Sequence, residues 1–64
     1  TSLDDLRELA RQVNDATAAL EELRQRRDEA IREVRRTGLH TVREIAEAAG
    51  VSEATVKAVI RGLR

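Results

Sequence analysis

Residues 41–60 read TVREIAEAAGVSEATVKAVI, and this stretch decides the fold. Its Val and Ile residues recur three and four positions apart, as on one face of a helix, and never alternate as in a strand. Gly50 follows the first run, where a left-handed residue ends a helix, and Ser52 follows as a good cap for the next. The stretch therefore predicts two short helices, 42–49 and 53–61, joined by a tight turn.

The side chains of this pair suit a close crossing of two helices. Ala46 is small where the helices approach, Gly50 supplies the positive φ of the turn, and Val51 fills the turn. Thr41 with Glu44 fits a capping box at the start of the first helix. We expect the shared core to consist of Ile45, Val56 and Val59 or Ile60.

This arrangement, over residues 39–63, resembles the helix-turn-helix of bacterial DNA-binding regulators and of the DNA-binding ends of resolvases and transposases. The resemblance implies that helix 53–61 enters the major groove with its N-terminal residues toward the base edges. The base contacts it implies are Ser52, Glu53, Ala54 and Lys57. The phosphate contacts it implies are Thr41, Arg43, Thr55, Arg61 and Arg64.

Two departures from the family pattern weaken the implied selectivity. Such regulators often carry Arg, Gln or Asn where this chain has Glu53 and Ala54, so one copy offers few base contacts. Two copies would restore selectivity by binding two half-sites about 34 Å apart or a multiple of that spacing. Ser52 is first a helix cap, and Thr55 is a cap partner or phosphate contact.

Upstream, residues 3–36 predict a helix about 51 Å long at about 1.5 Å per residue. Ser2 with Asp5 caps its start, and Gly38 follows its end. The heptad a and d positions are apolar with the exception of Arg27. These positions are Leu6, Leu9, Val13, Ala16, Leu20, Leu23, Arg27, Ala30 and Val34.

Residues 37–64 are too few to cover so long a helix. We therefore expect residues 1–23 to form an oligomerisation helix, most simply in a dimer. Its interface residues would be Leu6, Leu9, Val13, Ala16, Leu20 and Leu23. In a parallel pair, the side chains at the flanking g and e positions would form no pairs of opposite charge. Parallel and antiparallel association therefore both stay open.

The predicted fold is all-α: a long, coiled-coil-like N-terminal helix runs into a three-helix helix-turn-helix domain over 24–64. Helix 24–36 continues the first helix and would pack on the core through Ala30, Ile31 and Val34. Leu39, Val51 and Leu63, each one residue after a glycine, are expected to make the apolar contact of a Schellman motif. No wing is expected, because no strand pattern follows.

Charge is balanced overall, with 12 basic and 12 acidic residues, but unevenly distributed. Residues 1–23 carry two basic and six acidic side chains, and residues 24–64 carry ten and six. The arginine cluster Arg24, Arg26, Arg27, Arg32, Arg35 and Arg36 supplies most of the positive charge. It fits an anion-facing end, or else an ordinary helix surface with ion pairs such as Asp28–Arg32.

Several function classes are excluded by composition. The chain has no Cys and a single His, which excludes a zinc finger and makes a metal site or cofactor unexpected. His40 is expected in an exposed loop. The chain has no combination of a nucleophile and a base that would indicate an enzyme. No apolar run of about 18 residues is present, so we expect a cytoplasmic, nucleoid-associated protein without membrane or small-molecule partners.

The leading hypothesis is sequence-specific binding of double-stranded DNA by a homo-oligomer, most simply a dimer, of bacterial, plasmid or phage type. It would act as a transcriptional regulator or DNA-organising factor. The alternative is an assembly or adaptor module, in which the coiled coil and the helix-turn-helix bind protein. A packaging protein like the phage terminase small subunit lies between the two, and a ring rather than a dimer would indicate it.

Overall fold

The computed structural model describes residues 1–62 and contains three helices: α1 (Leu3–Thr37), α2 (Val42–Ala49) and α3 (Glu53–Ile60). This described part contains no strand. The molecule measures 54 × 17 × 15 Å, because α1 alone has 35 residues. The predicted all-helical architecture with one long N-terminal helix is confirmed. Leu63 and the predicted phosphate contact Arg64 lie outside the described residues.

Each helix begins at the residue that the sequence predicted as its cap. The Ser2 hydroxyl accepts a hydrogen bond from the Asp5 N–H at 3.1 Å, and the Asp5 carboxylate accepts from the Ser2 N–H at 3.2 Å. Thr41 and Glu44 form the same reciprocal pair at the start of α2. These bonds satisfy N–H groups that have no partner inside the helix, which is why local sequence alone placed the helix starts.

The turn between α2 and α3 is a Schellman motif. Gly50 has φ 70°, its N–H donates to the Glu47 carbonyl at 3.3 Å, and the Val51 N–H donates to the Ala46 carbonyl at 3.1 Å. Val51 is half-buried and packs against the core, as predicted. The motif fixes the direction in which the chain enters α3.

Leu39 does not make the apolar contact that we expected after Gly38. Gly38 has φ 70°, but the Leu39 N–H is taken by the Thr37 hydroxyl at 3.3 Å and not by an α1 carbonyl. The Leu39 side chain is 77% exposed. Leu63, expected to make the third such contact, lies outside the described residues.

The core lies where the C-terminal third of α1 meets α2 and α3. Val56 and Val59 are fully buried on α3. The core residues are Ile31, Ile45, Ala46, Val56 and Val59, with Val42, Ala49 and Val51 packed around them. The predicted contributions of Ile31, Ile45, Ala46, Val56 and Val59 are confirmed.

Two predicted core residues are wrong: Ala30 is exposed and Val34 is 38% exposed. Of the alternatives Val59 and Ile60, Val59 is buried and Ile60 is 36% exposed. The two short helices cover only the side of α1 that carries Asp28 and Ile31. Ala30 and Val34 lie further around α1, on the face that continues the heptad stripe. The sequence had assigned that whole wide face to the core.

Two arginines stabilise the junction instead of facing solvent. Arg32 donates from Nε to the Val59 carbonyl at 3.2 Å, which joins α1 to α3. Asp28, only 9% exposed, accepts from Nε and Nη2 of Arg27 at 3.2 and 3.1 Å. The expected Asp28–Arg32 pair is therefore replaced by contacts that satisfy a buried carboxylate and a carbonyl at the core edge.

Within residues 1–62, no helix combines the length and the apolar character needed to cross a membrane.

Candidate nucleic-acid interface

The exposed surface of α3 carries three of the four predicted base contacts. Val56 and Val59 are fully buried and so fix the rotation of α3 about its axis. At about 100° per residue, Ala54 and Lys57 face away from these valines, whereas Glu53 lies at the flank of the buried side, one turn before Val56. All three are exposed, so this surface of α3 presents an acid, a methyl group and a base to solvent.

Ser52 and Thr55 are tied to each other. The Ser52 hydroxyl accepts from the Thr55 N–H at 3.1 Å, and the two hydroxyl oxygens lie 3.0 Å apart. Thr55 is also half-buried. Their capping role is confirmed. Either hydroxyl would have to keep this hydrogen bond while it contacts a base or a phosphate.

The N-terminus of α2 is occupied by its own carboxylate. The Thr41 N–H donates to Glu44 Oε1 at 2.9 Å, at the place where we expected a phosphate. The backbone N–H of Thr41, then its hydroxyl, and finally the nearby His40 hold the pKa of the Glu44 carboxyl below its usual range. A phosphate at this helix end would have to compete with Glu44, which weakens the assignment of Thr41 as a phosphate contact.

Arg43 and Arg61 are the better placed of the predicted phosphate contacts. Arg43 Nε lies 3.6 Å from Glu47 Oε1, but the two side chains are 80% and 72% exposed. Such a pair contributes little in water, so a phosphate can replace Glu47 as the partner. Arg61 is exposed at the C-terminal end of α3, one turn after Lys57.

The arginine cluster divides into structural and exposed members. Arg27 donates to Asp28, and Arg32 donates to the Val59 carbonyl. Arg24 Nη1 lies 3.8 Å from Glu21 Oε2. Arg35 and Arg36 are exposed, and together with Arg32 and Ile60 they line a cleft of about 230 Å³ beside the end of α3. The positive charge of α1 therefore reaches the same end of the molecule as Arg61.

The N-terminal two-thirds of α1 has no partner within the chain as described. We call Leu6, Leu9, Val13, Ala16, Leu20 and Leu23 the apolar stripe. Its five large residues are between 48% and 63% exposed, and Ala16 is exposed as well. The exposure is that expected of an oligomer interface in an isolated chain, and the interface itself stays a prediction.

A second apolar surface lies between α1 and α2 and was not predicted. This α1–α2 groove of about 220 Å³ is lined by Arg27, Ala30, Ile31, Val34, Ile45, Ala48 and Ala49. Ala30 and Val34 continue the heptad positions of the stripe into it. The small residues Ala48 and Ala49 on α2 were the one sequence signal for it, because they leave the space open.

No protein-family model matches the chain, and searches of curated proteins and of solved structures found no match to it either. Within residues 1–62, no three His, Asp or Glu side chains come together as metal ligands do.

Proposed function

We propose that the protein binds double-stranded DNA, with α2 and α3 as a helix-turn-helix and α3 as its recognition helix. The observation that carries this proposal is the Schellman turn at Gly50 beside Ala46, which is 4% exposed. Together they hold α3 by its buried valines and leave its other face free.

The exposed side chains of α3 are suited to the edges of bases in the major groove. Lys57 donates to guanine, Glu53 accepts from the cytosine amino group, and Ala54 contacts a thymine methyl. Arg61 and Arg43 neutralise phosphates on either side, and the exposed Arg35 and Arg36 add positive charge nearby. With so few cations, we expect weak affinity from one copy.

Two copies joined through the apolar stripe would bind two half-sites and raise both affinity and selectivity. The exposed leucines of α1 support this part of the proposal. In a bacterial or phage setting such a homo-oligomer, in its simplest form a dimer, acts on the nucleoid as a transcriptional regulator or DNA-organising factor.

The contact model is tested by reversing the charge of Lys57 and Arg61 together. We expect Lys57→Glu with Arg61→Glu to weaken duplex binding by at least about 100-fold, since two favourable contacts become repulsive. The matched control is Arg7→Glu with Arg11→Glu, which changes net charge equally at exposed positions of α1 away from α3. Equal binding by the α3 variant and the wild type, with unchanged helicity, would reject the contact model.

A second function is favoured by the neutral net charge and the exposed stripe. In it the protein is an assembly or adaptor module whose partners are proteins. An oligomeric, helical protein that binds no duplex at about 50 mM salt would indicate this function. A ring of many copies that binds DNA would instead indicate a packaging protein.

A further inference from the structure

We propose that two copies pair antiparallel along α1, so that the apolar stripe of each enters the α1–α2 groove of the other. This inference rests on the self-association in the proposed function and adds its orientation, its second binding surface and its consequence for DNA. The occupant of the groove is a second copy of this chain.

The accessible surface of a single chain is larger than its mass accounts for. It is 5203 Å², whereas a compact monomer of 7.2 kDa exposes about 4100 Å². The excess of about 1100 Å² arises because α1 extends beyond the packed end. A stable interface buries about 800 Å² on each partner, so pairing along α1 removes an amount of surface of the right size.

The groove and the stripe form one continuous apolar surface. Ala30 and Val34 follow the stripe at the same heptad positions, and Ala48 and Ala49 form the wall on α2. These small side chains let another helix approach closely. An apolar helix lying along α1 therefore contacts both the stripe and the groove. In a parallel pair, the partner's own α2 would lie at the same level and would have to share this space.

Charge favours the antiparallel orientation. Residues 1–23 carry a net charge of −4, and residues 24–37 carry six arginines against three acids, a net charge of +3. Antiparallel pairing places these oppositely charged halves side by side, within about one Debye length of 10 Å. Parallel pairing places like charges together along the whole rod.

Side-chain size then selects the register. With Leu20 of each chain facing Leu23 of the other at the two-fold axis, Val13 faces Ala30 and Leu9 faces Val34. Arg27, the one charged residue in the seam, meets the small Ala16. Sliding the pair by one heptad, to the axis nearer the N-terminus, would instead set Arg27 against the larger Leu9 of the partner subunit.

This pairing places both α3 helices on one face of the dimer. The short helices pack on the side of α1 with Asp28 and Ile31, next to the heptad e positions. In an antiparallel pair, the e positions of both helices flank the same side of the seam. At 1.5 Å per residue, the two Arg32–Val59 contacts lie about 32 Å apart along the rod. That is close to the roughly 34 Å between half-sites on one face of a duplex.

Cysteine cross-linking tests the orientation, because the chain has no cysteine of its own. Val13→Cys and Ala30→Cys are made as separate variants at exposed positions, oxidised alone and as an equal mixture. Antiparallel pairing brings position 13 against position 30, while like positions lie about 26 Å apart. A disulfide needs Cα atoms about 4.4 to 6.8 Å apart. We expect disulfide-linked dimer from the mixture alone, and none when Ala18→Cys, outside the seam, replaces Ala30→Cys.

Three results would overturn the proposal. Cross-linking of each single variant with itself would show parallel pairing. A dimer by sedimentation velocity without cross-linking in the mixture would reject the orientation and register. A monomer would reject self-association altogether. DNA binding is measured separately on the wild type, so a cross-linked antiparallel dimer that binds no duplex would reject the nucleic-acid function and leave the dimer standing.

Discussion

Arg32 donates a hydrogen bond from Nε to the backbone carbonyl of Val59 at 3.2 Å, across 27 positions of sequence. Among the described residues it is the only side-chain hydrogen bond that joins two helices. It sets α3 against α1 at the point where the long helix enters the core. The orientation of the proposed recognition helix relative to α1 depends on this contact as well as on the buried valines.

Replacing Arg32 is expected to weaken the domain without changing its helices. Arg32→Met keeps the aliphatic stem but loses a hydrogen bond from a charged donor, at a cost of about 1.5 kcal/mol. Arg26→Met is the matched control at an exposed position, with an expected change within about 0.5 kcal/mol. Urea unfolding followed by circular dichroism measures both, and equal stability of the two variants would show that the contact contributes nothing.

The fully buried Val56 and the exposed Val13 allow the same substitution to report on two different surfaces. Val56→Ala should cost about 2 kcal/mol at every protein concentration, since it leaves a cavity in the core. Val13→Ala should change stability only through association, so its effect should grow with protein concentration. Unfolding curves at two concentrations, about a hundredfold apart, separate these effects. A concentration-independent cost at Val13 would argue against the stripe as an interface.

Gly50 is required for its backbone angle and not for space. Its φ is 70°, and a Cβ built there would meet nothing within 4 Å. Gly50→Ala should therefore destabilise the domain by about 1 kcal/mol through left-handed strain alone. Gly50→Asn should cost less, because asparagine adopts this conformation more readily. Thermal unfolding of the two variants checks the order, and a larger loss for asparagine would point to a steric cause instead.

The capping box at α2 predicts a pH dependence. The hydrogen bonds from Thr41 lower the pKa of Glu44 from its ordinary value of 4.5. Its contribution to stability is therefore present above pH 4.5 and is lost as the pH falls through the folded-state pKa. Glu44→Gln keeps an acceptor but not the charge. Urea unfolding at neutral and acidic pH should show the wild type more stable at pH 7, with the difference vanishing in acid. A pH-independent difference would exclude this cause.

The helices and their ends were predictable from the sequence because their determinants are local. Ser2, Thr41 and Ser52 each cap a helix by contacting a residue three positions away, and Gly50 adopts the angle that its position required. Spacing also identified Ile45, Val56 and Val59 as core. Each of these features depends on a few neighbouring residues.

The side of α1 on which the short helices pack was not predictable in the same way. The heptad stripe and the domain-facing side overlap at Ile31, so periodicity assigned Val34 to the core although it lies outside. Asp28 was expected at the surface, because nothing in its neighbours shows that α2 and α3 will cover it. The same ambiguity hid the α1–α2 groove, which is lined on the α2 side by Ile45 and the small Ala48 and Ala49.

The candidate phosphate contacts also depend on tertiary and local competition that residue type does not reveal. Arg43 lies beside the Glu47 carboxylate, and the Thr41 N–H already donates a hydrogen bond to the Glu44 carboxylate. Lys57 and Ala54 lie on the outward face of α3, as the helical spacing of the buried valines requires, and Glu53 is exposed at its flank.

The most direct test of DNA binding is the fluorescence anisotropy of a labelled random-sequence duplex titrated with the wild-type protein at about 50 and 200 mM salt. We expect binding at the lower salt that weakens by about tenfold or more at the higher salt, since each phosphate contact releases counterions. No binding at either salt by a helical, oligomeric protein would contradict the account.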